Sequence, residues 1–250
     1  MKLLTTGNPK IAKGEKLGYL TNILHLAPAS LSGHNVCPSA TAGCRAACLN
    51  TAGRGGIFRK GETTNVIQKA RIARTVFFFD DRPAFMAQLV KEIRAAIKLA
   101  KSHNLIPVFR LNGTSDIRWE SVDVFESDKK AKTAVLHPNV MAMFPTVQFY
   151  DYTKHANRKD IPANYHLTFS LGDGNDANAM KAYLDGMNVA AVFFTVPETY
   201  KLSAVFDGWH KVLPVVNGDE SDLRFLDAKG VIVGLKAKGR AKKDTSGFVK

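Results

Sequence analysis

Along this chain, short runs of branched and aromatic residues alternate with stretches whose apolar positions recur every three to four residues. That alternation constrains the fold more than any other feature. Strand-like runs stand at residues 19–26, 105–112, 147–151, 166–171, 189–195, 212–217 and 231–235. Helical spacing occupies residues 63–76, 83–103, 119–126, 139–144 and 177–186. In the first of these, Val66, Ile67, Ala70, Ala73 and Val76 share one side while Lys69, Arg71 and Arg74 lie towards the other. The second opens on Pro83, suited to a first helical turn, and carries Phe85, Met86, Leu89, Val90 and Ile93 at core spacing. Strands separated by helices pair in parallel through crossover connections. The prediction is therefore an α/β protein: a single (β/α) barrel-like domain over residues 1–250, incomplete or partly open, with an open doubly wound sheet as the alternative. Residues 236–250 are polar and basic and are predicted to be a mobile tail.

A hydrophobic fraction of 45% with 15 Phe supplies a core and excludes a disordered chain. No stretch reaches the roughly 18 apolar residues of a membrane span, and residues 1–16 lack the apolar run of a secretory signal. A soluble, cytoplasmic protein with no membrane partner is expected. The formal net charge is +13. Basic residues gather after the cysteines (Arg54, Arg59, Lys60, Lys69, Arg71, Arg74) and after the last strand (Lys236, Lys238, Arg240, Lys242, Lys243). Such charge points to a nucleic acid or nucleotide partner through phosphate contacts.

All three cysteines, Cys37, Cys44 and Cys48, fall in the loop after the first strand. An odd number in a chain of this length argues against a disulfide framework, and the clustering argues for a metal. The loop, from Ala29 to about Gly61, has few large apolar residues, so burial alone does not account for it. Soft thiolates at this spacing hold zinc or iron–sulfur clusters. His34 would complete a closed Cys3His zinc site. Without it, three thiolates on a cluster leave one iron open.

In parallel sheets, sites form beyond the carboxyl ends of strands. The polar residues there are Asn112, Gly113, Thr114, Ser115 and Asp116 after the second strand, Asp151 and Lys154 after the third, and Asp173 after the fourth. Such residues also cap helices. His25, among apolar neighbours on the first strand, reads as a core histidine. No Walker loop, G-x-S-x-G elbow, H-E-x-x-H or Rossmann fingerprint is present.

The segments LAPASLSGHNVCPSATAGCRAACLNTAGRG, FRLNGTSDIRWE and LRFLDAKGVIVGLKAKG resemble bacteriophage proteins of the gene product 88 type. That resemblance implies a phage protein working in the infected bacterial cell. A more distant likeness is to radical S-adenosylmethionine barrels, which carry three cluster-binding cysteines after their first strand and a Gly-rich cofactor segment after their second. Here C-x6-C-x3-C replaces C-x3-C-x2-C, and Leu49 follows the last cysteine where an aromatic residue is usual. This likeness implies an iron–sulfur cluster on Cys37, Cys44 and Cys48, S-adenosylmethionine at Asn112, Gly113, Thr114 and Ser115, and substrate contacts from Asp116, Asp151, Lys154 or Asp173. Two further readings stay open. One is a zinc-stabilised barrel of transglycosylase type, with Asp116 or Asp151 as nucleophile. The other is a non-catalytic, zinc-stapled nucleic-acid-binding protein.

Overall fold

The computed structural model describes residues 1–6, 13–128, 133–203 and 209–250. Its centre is a nine-stranded, mostly parallel sheet. In chain order the strands are β1 (Leu4–Thr5), β2 (Tyr19–Leu24), β3 (Ile106–Arg110), β4 (Val124–Asp128), β5 (Thr133–His137), β6 (Gln148–Thr153), β7 (Tyr165–Ser170), β8 (Asn188–Phe193), β9 (Thr199–Ser203), β10 (His210–Asn217) and β11 (Ile232–Lys236). The sheet order is β1-β2-β3-β6-β7-β8-β11-β10-β9, with β4 and β5 forming a separate antiparallel hairpin. The strands β2, β3, β6, β7, β8 and β11 lie side by side in the order in which the chain makes them, each parallel to the next.

All seven expected strands are present, but the sheet does not close into a barrel. Its edges are β1, antiparallel to β2, and β9, antiparallel to β10. Closure needs the two outermost strands to pair with each other, and here two short antiparallel strands occupy the edges instead.

The helices are α1 (Ala42–Ala46), α2 (Val66–Asp80), α3 (Arg82–Ser102), α4 (Val140–Met143) and α5 (Asp176–Leu184). Asp81 caps α3 through the Ala84 amide, and Pro83 sits in its first turn. One side of α3 buries Phe85, Met86, Leu89, Val90, Ile93, Ala96 and Ala100. These pack on Leu24, Phe109, Phe149 and Leu167, which side-chain alternation directs to one face of the sheet. A second cluster joins Ala179 and Met180 of α5 to Phe169, Val189 and Phe193. The opposite face carries Val108 and Tyr150, covered by Leu223 and Phe225.

Two expectations are corrected. Residues 119–126 are not a helix but a 3-10 turn (Trp119–Ser121) leading into β4. Trp119 is fully buried and donates its indole N–H to Asn112 Oδ1 at 3.1 Å, which stops the turn from winding on. The segment 236–250 is not a free tail. It forms a 3-10 turn (Gly239–Lys243), buries Phe248 and Val249, and pairs Val249 with Val192. These two apolar side chains give the basic segment something to bury. No helix among the described residues is long and apolar enough to cross a membrane.

Candidate functional site

Because side chains alternate along a strand, one face of the six consecutive parallel strands presents Ile23, Arg110, Tyr152, Ser170, Ala190, Val192 and Leu235. These residues line one cavity of about 1010 Å3. The segments after the strand ends complete it, including His25, Asn112 to Asp116, Lys154 and the cysteine segment. The site therefore lies where carboxyl-end loops of a parallel sheet converge.

The cysteine segment is built, not structureless. Thr41 caps α1 through the Cys44 amide, and Cys48 Sγ accepts from the Asn50 amide at 3.5 Å. Asp173, beyond β7, accepts from Thr41 Oγ1 and from the Gly43 amide. Burial pushes the Asp173 carboxyl up, but these hydrogen bonds outweigh it and hold the carboxyl below its usual range. From the other side, Phe248 packs on Ala47 and Cys44.

Cys37, Cys44 and Cys48 are half-buried free thiols, and all three line the cavity. Burial pushes the Cys37 thiol up to about 12 and raises those of Cys44 and Cys48. Cys37 Sγ lies 3.7 Å from the Thr114 carbonyl and 3.4 Å from the Ala29 amide. Among the described residues, no three His, Cys, Asp or Glu side chains stand close enough to hold a single ion. His34 is not a fourth member of the set. Its ring stacks on Phe79 at 4.2 Å and 4°, a contact that turns it into the α2 packing.

The other expected site residues separate into two groups. Asp116 and Lys154 line the cavity. Asp116 Oδ2 accepts the Lys154 amide at 2.8 Å, while its buried Oδ1 has no hydrogen-bond partner among the described residues and lies 3.9 Å from Arg158 Nη1. Lys154 Nζ donates to Ser170 O and Oγ at 2.9 and 3.1 Å, and burial lowers its pKa.

Asp151, by contrast, is sealed. It is fully buried, accepts the Asn112 amide at 2.7 Å and the Tyr165 hydroxyl at 2.8 Å, and burial raises its pKa to about 7. It does not reach the cavity. Asn112 is also spent internally: its Oδ1 accepts from Ser115 Oγ, the Ile117 amide and the Trp119 indole. Thr114 Oγ1 donates to the Leu26 carbonyl. Gly113 is a close-packing glycine, since a Cβ there would stand 2.7 Å from the Leu24 carbonyl.

Sequence reasoning missed two residues of the cavity lining, Arg110 and His25, and a third, His155, that stands beside Asp116. Arg110 ends β3 on the cavity face, donating to Asp222 at 3.0 Å and lying 4.8 Å over Tyr152. An arginine at the end of an apolar strand was the available signal. His155 Nε2 sits 3.9 Å from Asp116 Oδ2, with Nδ1 3.1 Å from Ser39 Oγ. His25, expected in the core, lines the cavity instead.

A family model described as gene product 88 matches residues 2–250. No curated protein and no solved structure matches the chain.

Proposed function

This chain belongs to the gene product 88 family, and on that premise we propose that it is a metalloenzyme acting on a nucleic acid or nucleotide. In this reading Cys37, Cys44 and Cys48 hold an iron–sulfur cluster, with S-adenosylmethionine beside residues 112–115. One observation carries it: three thiols from the segment after the first of six consecutive parallel strands all face one cavity at the strand ends. Parallel strands in chain order bring the segments that follow them to one end of the sheet.

The donor set fits the group. Three soft sulfurs lining one cavity are the donor type of iron–sulfur ligation. Burial keeps the metal-free thiols protonated, so metal must displace those protons to bind. Once held there, a cluster with one uncoordinated iron supplies single-electron reduction. The chain's own residues do the rest. Asp173 and Thr41 fix α1 and thereby Cys44. Asp116 offers Oδ1 as the acceptor for a substrate N–H or O–H. Lys154 offers its amine to a substrate oxygen in exchange for Ser170. Cofactor contacts at 112–115 fall to the backbone, because Asn112, Thr114 and Ser115 already use their side chains within the loop.

The test is iron and acid-labile sulfide content with an ultraviolet-visible spectrum, on protein purified without oxygen. The Cys37→Ala/Cys44→Ala/Cys48→Ala variant is the control. Iron and sulfide present in the parent and lost in the variant are the expected result. A colourless protein that takes up neither on anaerobic reconstitution would overturn it. Asp116 Oδ1, which accepts no hydrogen bond among the described residues, favours a second reading, a transglycosylase type with Asp116 as nucleophile. A protein without iron whose base-exchange activity is lost in Asp116→Asn would select it.

A further inference from the structure

Two guanidinium groups line the cavity from different elements. Arg71, on α2, donates Nη1 to Asn50 Oδ1 at 2.5 Å. Arg110, at the end of β3, donates Nη1 to Asp222 at 3.0 Å. On both, Nε is buried and has no hydrogen-bond partner among the described residues. Leaving a charged donor buried and unmatched is costly, so both guanidinium groups keep hydrogen-bonding capacity that the described residues do not use.

Positive groups outnumber negative ones around the cavity, although Asp222 pairs with Arg110. The His25 pKa is pushed down to about 3, first by burial and then by Arg71, Arg110 and Arg74, with Asp222 acting the other way. The imidazole is therefore neutral, and it adds hydrogen-bonding capacity without adding charge. The lip of the same cavity is different in character: Leu31, Leu49 and Phe58 line it and are exposed to solvent. A cationic wall with an apolar lip suits a ligand that has an anionic group at one end and a flat ring at the other. The cavity volume is that of a small-molecule site, which admits a mononucleotide or a single nucleotide turned out of a strand.

We infer that Arg71 and Arg110, with His25, form a phosphate subsite that anchors a nucleotide unit in the cavity. The inference deepens the proposed function by naming the group of the substrate that is gripped. Its test does not depend on metal. Calorimetric titrations are made with inorganic phosphate, a nucleoside 5′-monophosphate, the matching nucleoside and a short single-stranded oligonucleotide. They use both the parent and the variant with all three cysteines changed to alanine.

The monophosphate is expected to bind about tenfold or more tighter than the nucleoside, the effect of a charge-assisted hydrogen bond. Arg71→Gln should lose about the same factor. Asn50→Ala, which removes the partner of Arg71 but keeps the cation, should retain phosphate binding. That control separates ligand binding from anchoring of the cysteine segment. With the monophosphate already tighter than the nucleoside, a monophosphate that also outbinds the oligonucleotide identifies a free nucleotide as the source of the phosphate, and an oligonucleotide that outbinds the monophosphate identifies a strand. Equal affinity for nucleoside and monophosphate, or phosphate binding unchanged in Arg71→Gln, would overturn the subsite. Phosphate binding without iron in the parent would remove the cluster and leave the subsite standing. Iron without phosphate binding would do the reverse.

Discussion

The Asp173 carboxylate accepts the Gly43 amide at 2.9 Å, joining residues 130 positions apart. Gly43 lies in α1, the short helix that carries Cys44, and Asp173 lies just beyond β7. A loop element that is too short to be stable alone is thus held by a group on the sheet. Asp173 positions Cys44 and does not itself line the cavity.

Asp173→Ala should therefore loosen the cysteine segment and not the sheet. The expected cost is about 1 kcal/mol, that of a lost helix cap, read as a shift in urea midpoint. Alkylation of Cys44 should quicken in the same variant. An unchanged alkylation rate would mean that Phe248 and the C-terminal segment suffice to hold α1.

Thiol reactivity offers a second check. Burial raises all three thiol pKa values, that of Cys37 to about 12, and the thiolate is the reactive form. Near neutral pH the metal-free protein should be alkylated more slowly than its urea-unfolded chain, with Cys37 slowest. Metal binding should release protons, measurable with an indicator dye in weak buffer. Fast alkylation of Cys37 at neutral pH would contradict the buried setting.

Asp151 makes a prediction about pH. Burial places its folded-state pKa at about 7, above the ordinary 3.8 of an aspartate. Between those values the folded protein keeps a proton that the unfolded chain has lost. The resulting stability is fully present below about pH 4 and is lost as pH rises through about 7. Asp151→Asn carries no such proton and should flatten this part of the stability profile. Asp151→Ala should cost about 1–3 kcal/mol for each buried partner left unpaired, the Asn112 amide and the Tyr165 hydroxyl.

At Gly113 the packing leaves no room for a side chain. A Cβ would stand 2.7 Å from the Leu24 carbonyl and 2.8 Å from Ile23 Cγ2, and the backbone atom cannot swing away. Gly113→Ala should force the ends of β2 and β3 apart at a cost of about 1–3 kcal/mol, read from denaturant unfolding. A parental midpoint would show that the two strand ends can separate freely.

The central sheet was legible because β2, β6, β7 and β8 are buried on both faces and are rich in branched and aromatic residues. What escaped were strands with weaker signals. The two residues of β1 are too few to carry a period, β9 buries only Leu202, and β4 and β5 expose Phe125, Val135 and Leu136, so their apolar residues do not mark a core face. The helix expected at 119–126 failed because Trp119 and Val122 satisfy helical spacing while answering to Asn112 and the core. Of the site, the cysteine cluster and the strand-end residues Asp116 and Lys154 could be picked out from position alone. Asp151 and Asn112 were indistinguishable from them until their partners were known.

The sequence by itself determined seven of the strands and the two long helices, the concentration of thiols after the first long strand, and the excess of positive charge. Those are local properties, set by periodicity, composition and spacing. The tertiary structure alone decided that the sheet stays open, that His34 turns to Phe79, and that Asp116 faces the cavity while Asp151 is sealed against Tyr165. A two-residue period says which side chains share a face of a strand, but not what covers that face. Coverage depends on contacts between distant segments, here α2 and α3 on one side and residues 222–226 on the other.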